Sequence, residues 1–227
     1  MQILCTICAR SKSKGLKNKN FLKLNSKSLI SYSIDTAIKS NIFNQISIST
    51  DSNKIKNLKK KYKKILFIKR PKNLASDKSS KVDAIRHTLI STERSNKIKY
   101  DIIFDLDVTS PLRSIKDLKN SLNIFLKKKS DNLISVTPAR RNPYFNMVEI
   151  KNKTIQLVKK SKKKITRRQD APKLYDLNAS IYIWKRKILL KSNKLFRRKT
   201  SIYVMPYSRS VDIDHKIDLK IVKSLLN

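Results

Sequence analysis

The chain has 227 residues, 39% of them hydrophobic and 31% charged, a balance that excludes a disordered chain and suits a single domain with a real core. No apolar run approaches the roughly 18 residues of a membrane span. The opening, Met1 to Cys8, is too short for a signal peptide and reads as a buried strand, which puts the protein in the cytoplasm. The formal net charge of +38 raises a nucleic-acid hypothesis. Yet the lysines run along the whole chain, among abundant Asn, Ile and Ser and a single glycine, the mark of a compositional bias. Aromatics are 7%, and many sit in predicted strands rather than among basic residues, so a nucleic-acid partner is disfavoured.

In chain order, residues 3–8 read as a buried strand and 29–38 as a helix, with apolar residues at helical spacing. A strand at 45–49, a basic helix at 55–62 and a strand at 65–68 follow. Next comes a helix at 82–90 with Ser79 or Ser80 as its cap. Residues 100–106 are the strongest strand, followed by a helix at 118–126 and a strand at 133–136. Between 138 and 170 the pattern loosens into β-prone pieces at 144–150 and 154–158, which reads as an insertion used for subunit contacts in a homodimer. Strands at 180–184 and 202–205 and a last helix at 217–226 complete an α/β alternation. Repeated βα units predict a mostly parallel sheet with helices on both faces, and ligands at the carboxyl ends of its strands. Cys5 and Cys8 lie three apart on the first strand, so they face opposite ways and are read as structural.

The loop Ala9-Arg10-Ser11-Lys12-Ser13-Lys14-Gly15-Leu16-Lys17-Asn18-Lys19-Asn20 follows the first strand and holds the protein's only glycine among five cations. Backbone amides and several cations at a strand end suit a triphosphate, and the glycine suits a positive-φ turn or a close approach of backbone to ligand. It is not a Walker A loop. Asp212 and Asp214, read as a pair at a strand end, face the same way in extended chain. Two carboxylates beside phosphates suit Mg²⁺, which takes few protein ligands and fills its shell with water and phosphate. A competing role for Asp214 is to cap the final helix. His87 and His215 are read as non-catalytic.

This loop resembles the opening motif of the acylneuraminate cytidylyltransferases, the CMP-sialic acid synthetases. Further segments match in order: Ser49-Thr50-Asp51-Ser52, Arg70 to Asp77, Thr109-Ser110-Pro111-Leu112-Arg113, Arg168-Gln169-Asp170, and Ser210-Val211-Asp212-Ile213-Asp214. The resemblance implies a three-layer, Rossmann-like nucleotide-diphospho-sugar transferase fold. It also implies transfer of CMP from CTP to the anomeric hydroxyl of an acidic nine-carbon sugar, with release of pyrophosphate. By resemblance, Arg10, Lys14, Lys19 and Asp212 would be catalytic. Ala9, Arg10, Asn20, Arg70, Ser79 and Ser80 would hold the nucleotide. Asp107, Arg168, Gln169 and Asn178 would meet the sugar, Arg168 taking its carboxylate, while Asp212 and Asp214 would carry Mg²⁺.

The chain departs from the family in the phosphate loop, where Ser11-Lys12 replaces Gly-Gly and Lys12 adds a phosphate donor, and again where the sugar should lie. There Asp107-Val108 replaces Gln-Pro, Asp176 stands where arginine is usual, and Ala179-Ser180 stands where Gly-Ala is common. The sequence around Asp107 looks more like the legionaminic branch, so a diamino sugar acid is expected over N-acetylneuraminic acid. The alternatives are a CMP-Kdo-type synthetase, whose loop usually runs through Arg-Leu-Pro, a basic nucleic-acid-binding protein, and an inactive relative.

Overall fold

The computed structural model describes residues 1–11, 16, 18–162 and 164–226. Strand β1 is Ile3–Cys8, followed by a small hairpin of β2 (Lys23–Leu24) and β3 (Lys27–Ser28) that leads into helix α1 (Leu29–Ser40). Then come β4 (Gln45–Thr50), α2 (Lys56–Lys61), β5 (Leu66–Lys69), α3 (Lys81–Asn96), β6 (Ile102–Leu106), α4 (Ile115–Lys127) and β7 (Asn132–Pro138). The chain continues through β8 (Val148–Lys151), β9 (Thr154–Leu157), β10 (Tyr175–Lys185), α5 (Arg186–Lys191), β11 (Thr200–Val204) and α6 (Lys216–Leu226).

The main sheet runs β11-β7-β10-β6-β1-β4-β5. Its neighbours pair in parallel except for β10, which is antiparallel to both β6 and β7. The chain leaves β7 without a crossover helix, and a strand that returns without one comes back antiparallel. Alternate residues of each strand go to opposite faces. Cys5, Ile7, Phe104 and Ile183 pack with Ile30 and Ile34 of α1, Phe125 of α4 and Val222 of α6. Leu4, Ile103 and Trp184 pack with Ile85 and Leu89 of α3 and Leu189 of α5. The result is a three-layer α/β sandwich. Cys5 belongs to the first layer and Cys8 packs against the second, both as free thiols.

Serine caps set two helix starts. The Ser80 hydroxyl accepts from the Asp83 N–H, and Ser114 forms a reciprocal capping box with Asp117.

Several expectations need correction. The segment before β8 is not strand: the Asn142 carbonyl instead accepts from the N–H groups of Phe145, Asn146 and Met147 in a folded-back turn. The insertion's strands β8 and β9 form a separate hairpin, outside the main sheet. Its two-residue turn, Asn152 and Lys153, holds positive φ at both positions as a tight hairpin requires. Helix α5 was not foreseen. Strand β10 is longer than the expected five residues and carries a bulge between Leu177 and Tyr182, where Ala179 takes φ 52°. Among the described residues no helix is long and apolar enough to cross a membrane.

Candidate active site

A cavity of about 430 Å³ opens at the carboxyl ends of β1, β5 and β6. It lies where a parallel sheet gathers the ends of its strands. The loop after β1 enters it under two restraints. Ala9 is buried and its N–H donates to the Ser49 carbonyl at 2.9 Å, so that amide is committed to the sheet and not to a ligand. Asp51 at the end of β4 accepts from the Ser11 N–H at 2.7 Å and the Ser11 hydroxyl at 2.5 Å. Burial pushes the Asp51 carboxyl up, but these bonds outweigh it and hold it below the ordinary range. Serine here, where the family usually has glycine, thus adds an anchor for the loop.

Arg10, Lys19 and Asn20 line the cavity. Arg10 donates to Asp77 Oδ1 at 2.7 Å and to the Ser76 carbonyl at 3.3 Å. Lys19 Nζ lies 2.7 Å from Asp214 Oδ1. Asn20 is buried and its amide donates to the Arg10 carbonyl at 2.9 Å, bracing the loop from within. The expected Lys14 and Gly15 lie outside the described residues.

Arg70, Ser79 and Ser80 line the same cavity. Arg70 is buried, with Nε donating to the Ser49 hydroxyl at 3.0 Å and Nη2 to the Ser49 carbonyl at 2.9 Å. Ser80 doubles as the cap of α3.

Asp107, Asp212 and Asp214 also line the cavity. Asp212 and Asp214 are not at a strand end: they sit in irregular chain between β11 and α6. That segment is fixed by the Ile213 N–H, which donates to the Thr109 carbonyl at 2.9 Å. Nor does the Asp214 side chain cap α6. The Asp218 carboxylate does so, accepting from the N–H groups of Asp214 and His215 at 2.9 and 2.6 Å. Asp212 Oδ1 is buried with no hydrogen-bond partner. Burial, with Asp107 and Asp214 nearby, pushes the Asp212 carboxyl above its ordinary range. A desolvated carboxylate crowded by like charge and missing a donor fits a cation. Among the described residues no cluster of three or more His, Cys, Asp or Glu could cage a metal. The donor set therefore suits an ion that shares its shell with water and phosphate, as Mg²⁺ does.

Three expected sugar residues are elsewhere. Arg168 and Gln169 are exposed and line a separate groove with Ala139, Tyr175 and Val204, the Arg168 guanidinium donating to the Ala139 carbonyl at 3.0 Å. Asn178 is buried inside the fold. Its carbonyl oxygen accepts from the Ser135 hydroxyl at 2.6 Å, and its amide donates to Ser210 at 2.9 Å, so it ties β10 to β7 and to the chain before Asp212. Asp176 is exposed and does not line the cavity. The bulge at Ala179 separates these residues from the part of β10 that backs the site. Neither His87 nor His215 lines the cavity.

Other members of the site had no sequence argument. Cys8 lines the cavity, and burial with the nearby Asp105 carboxylate pushes its thiol to about 12, so it stays protonated. Arg113, quoted above for its motif, is buried as a brace. It donates to the Ser180 and Asp107 carbonyls and to the Ser33 hydroxyl, and burial brings it down to about 10. Lys81 lines the cavity from the first position of α3. One signal could have found it: a lysine at a helix N-terminus opposes the helix dipole and asks for a local partner.

Comparison with known proteins agrees with this geometry. A family model described as cytidylyltransferase matches residues 4–226. The chain is 46% identical over 226 residues to the CMP-N,N'-diacetyllegionaminic acid synthase of Campylobacter jejuni, covering 100% of this chain and 95% of that one. It is 44% identical over 225 residues to the post-translational flagellin modification protein B of Campylobacter coli, covering 99% and 95%. In fold it is similar to a CMP:2-keto-3-deoxy-manno-octonic acid synthetase solved with CTP, at a TM-score of 0.71 and 15% identity, covering 100% and 98% of the two chains. With the family model matched over nearly its whole length and a relative 46% identical across it, the chain belongs to the cytidylyltransferase family.

Proposed function

We propose that this enzyme transfers CMP from CTP to the anomeric hydroxyl of a nonulosonic acid, and that its acceptor is a legionaminic-type diamino sugar acid. The observation that carries the reading is the convergence of Arg10, Lys19, Asn20, Asp212 and Asp214 on one cavity. The 46% relative named for the legionaminic acceptor supports the choice of sugar. Attack of a hydroxyl on the α-phosphorus needs neutralised charge and in-line geometry rather than a covalent group. Arg10 and Lys19 exchange Asp77 and Asp214 for phosphate oxygens, Asn20 keeps the loop in shape, and Ser79, Ser80 and Arg70 border the nucleoside. Asp212 and Asp214 hold Mg²⁺, which when bound neutralises the phosphates and lowers the pKa of the attacking hydroxyl.

Arg168 and Gln169 serve the sugar only in an assembly where the insertion of one copy reaches the cavity of another. The exposed apolar residues Val148, Ile150, Ile155 and Leu157 of the hairpin support such a homodimer. The same reading puts the reaction in the cytoplasm, where CTP is available, as one cytidylyltransferase domain with the 138–170 insertion as its dimer contact. Mass spectrometry of the product from CTP, Mg²⁺ and N,N'-diacetyllegionaminic acid tests the reading. The CMP-linked sugar is expected, and free CMP alone would overturn it.

A further inference from the structure

Asp105 and Asp107 lie two residues apart at the end of β6, and a wall carrying two carboxylates is a poor host for two polyanionic substrates. Asp105 is fully buried, with the Thr6 hydroxyl donating to its Oδ1 at 2.8 Å. Lys81 supplies the missing positive charge. Its Nζ lies 2.6 Å from Asp107 Oδ2, 3.1 Å from Asp105 Oδ2 and 4.5 Å from the centre of the Tyr182 ring. Burial opposes charge on Lys81 and on Asp107 alike. Their mutual attraction wins, raising the ammonium well above its usual range and holding the carboxyl well below its own.

An ammonium has three N–H donors; Lys81 gives one to Asp107 by hydrogen bond and pairs with Asp105 by charge, so its charge is already engaged by the protein. It acts through Asp107. Asp107 accepts from Lys81 on Oδ2, and from the Thr109 N–H at 3.1 Å and hydroxyl at 2.9 Å on Oδ1. That takes three of the roughly four acceptor positions of a carboxylate. The open position is on Oδ2, in a side chain that lines the cavity and remains 22% exposed. A carboxylate can only accept, and an amide N–H can only donate.

We propose that Lys81 is a positioning residue for acceptor choice, holding Asp107 so that its open Oδ2 position receives an acylamino N–H of the sugar while its charge is cancelled against the sugar's own carboxylate. The inference rests on the diamino sugar acid reading above and assigns that reading's selectivity to a lysine on the opposite face of the sheet from α1 and α4. The Lys81–Asp107 pair also fixes Thr109, whose carbonyl holds the segment of Asp212 and Asp214, so the acceptor wall and the metal pair share one support.

The test is steady-state kinetics with the whole enzyme at saturating Mg²⁺, varying CTP and N,N'-diacetyllegionaminic acid separately, for wild type, Lys81→Met, Lys81→Arg, Asp107→Asn and the double variant Lys81→Met/Asp107→Asn. Lys81→Met should raise the KM of the acceptor about tenfold or more while the KM of CTP stays within about twofold. Lys81→Arg should recover most of the loss. In the Asp107→Asn background, removing Lys81 should cost less than about threefold, because the two residues act as one unit. A CTP KM that moves as far as the acceptor KM, or two losses that simply multiply, would overturn the inference. Thermal stabilisation by CTP reports that each variant is folded. Should Lys81→Met fail that check, Asp107→Asn alone carries the same expectation of an acceptor-only rise in KM. A wild type that uses no nonulosonic acid sinks the underlying reading, whereas an active wild type with unaltered variants sinks the inference alone.

Discussion

Arg10 is bonded to Asp77 at 2.7 Å, and both line the cavity, so under the proposed function a phosphate must displace this carboxylate to reach Arg10. Removing that competitor should help CTP. Asp77→Ala is expected to lower the KM of CTP by up to about fivefold, the scale of a half-exposed ion pair. Arg10→Ala should instead cost on the order of 2–4 kcal/mol of transition-state stabilisation, as for a lost oxyanion-type donor. Measuring kcat/KM for CTP in both variants checks the opposite signs, and a higher KM in Asp77→Ala would contradict the exchange.

The carboxylate pair makes a second prediction. Asp212→Asn and Asp214→Asn should each remove most CMP transfer at limiting Mg²⁺, with the larger loss at the half-buried Asp212. Neither should lower Tm appreciably, because Asp212 Oδ1 has no hydrogen-bond partner to lose and the Asp214 carboxylate that pairs with Lys19 is exposed, where ion pairs contribute little. Rates measured over a Mg²⁺ titration decide this, and near wild-type turnover at limiting Mg²⁺ in both variants would refute the metal assignment.

Asp117 links stability to pH. It is buried at the start of α4, and it accepts from Arg209, from Tyr203 and from the Ser114 N–H and hydroxyl. Burial raises its pKa, but these donors outweigh burial and hold the carboxyl below its ordinary value. A lowered folded pKa stabilises the protein fully above the unfolded value of about 3.9, and the contribution is lost as pH falls through the folded value. The Tm advantage of wild type over Asp117→Asn should therefore be largest near neutral pH and shrink as pH drops through the carboxylate range. A difference independent of pH would contradict the assignment.

Ala179 sits in the bulge of β10 at φ 52°, a region that costs a residue with Cβ about 1–2 kcal/mol. Glycine relieves that strain but loses more backbone entropy on folding, about 0.4–1 kcal/mol. Ala179→Gly should thus leave stability unchanged or raise it by up to about 1.6 kcal/mol, read from urea unfolding. A clear loss of stability would mean that the Ala179 methyl is needed for packing.

The layers of the fold were legible because residues such as Leu29, Ile30, Ile34 and Ala37 recur at helical spacing and the buried strands are short apolar runs. That Arg10, Lys19, Asn20, Asp212 and Asp214 line one cavity was legible too, the first three from their place after β1 and the two aspartates from their spacing, although these do not stand at a strand end. What the sequence hid is convergence between distant segments. Arg168 matches a motif yet lies beside Ala139, because a hairpin inserted between β7 and β10 carries it away from the sheet. Asn178 looked like a ligand residue, but a bulge of one strand turns it toward Ser135 and Ser210. Lys81 was one lysine among many, and its meaning came from Asp105 and Asp107 meeting it across two elements. Helix α5 has only six residues, too few to establish a period.

Pyrophosphate release by the purified enzyme should be measured with CTP and Mg²⁺ against N,N'-diacetyllegionaminic acid, N-acetylneuraminic acid and an eight-carbon Kdo acceptor. Acceptor-dependent release is expected, with the highest kcat/KM for the diacetylated diamino acid. Release with none of them, or a preference for the eight-carbon acid, would contradict the proposed function.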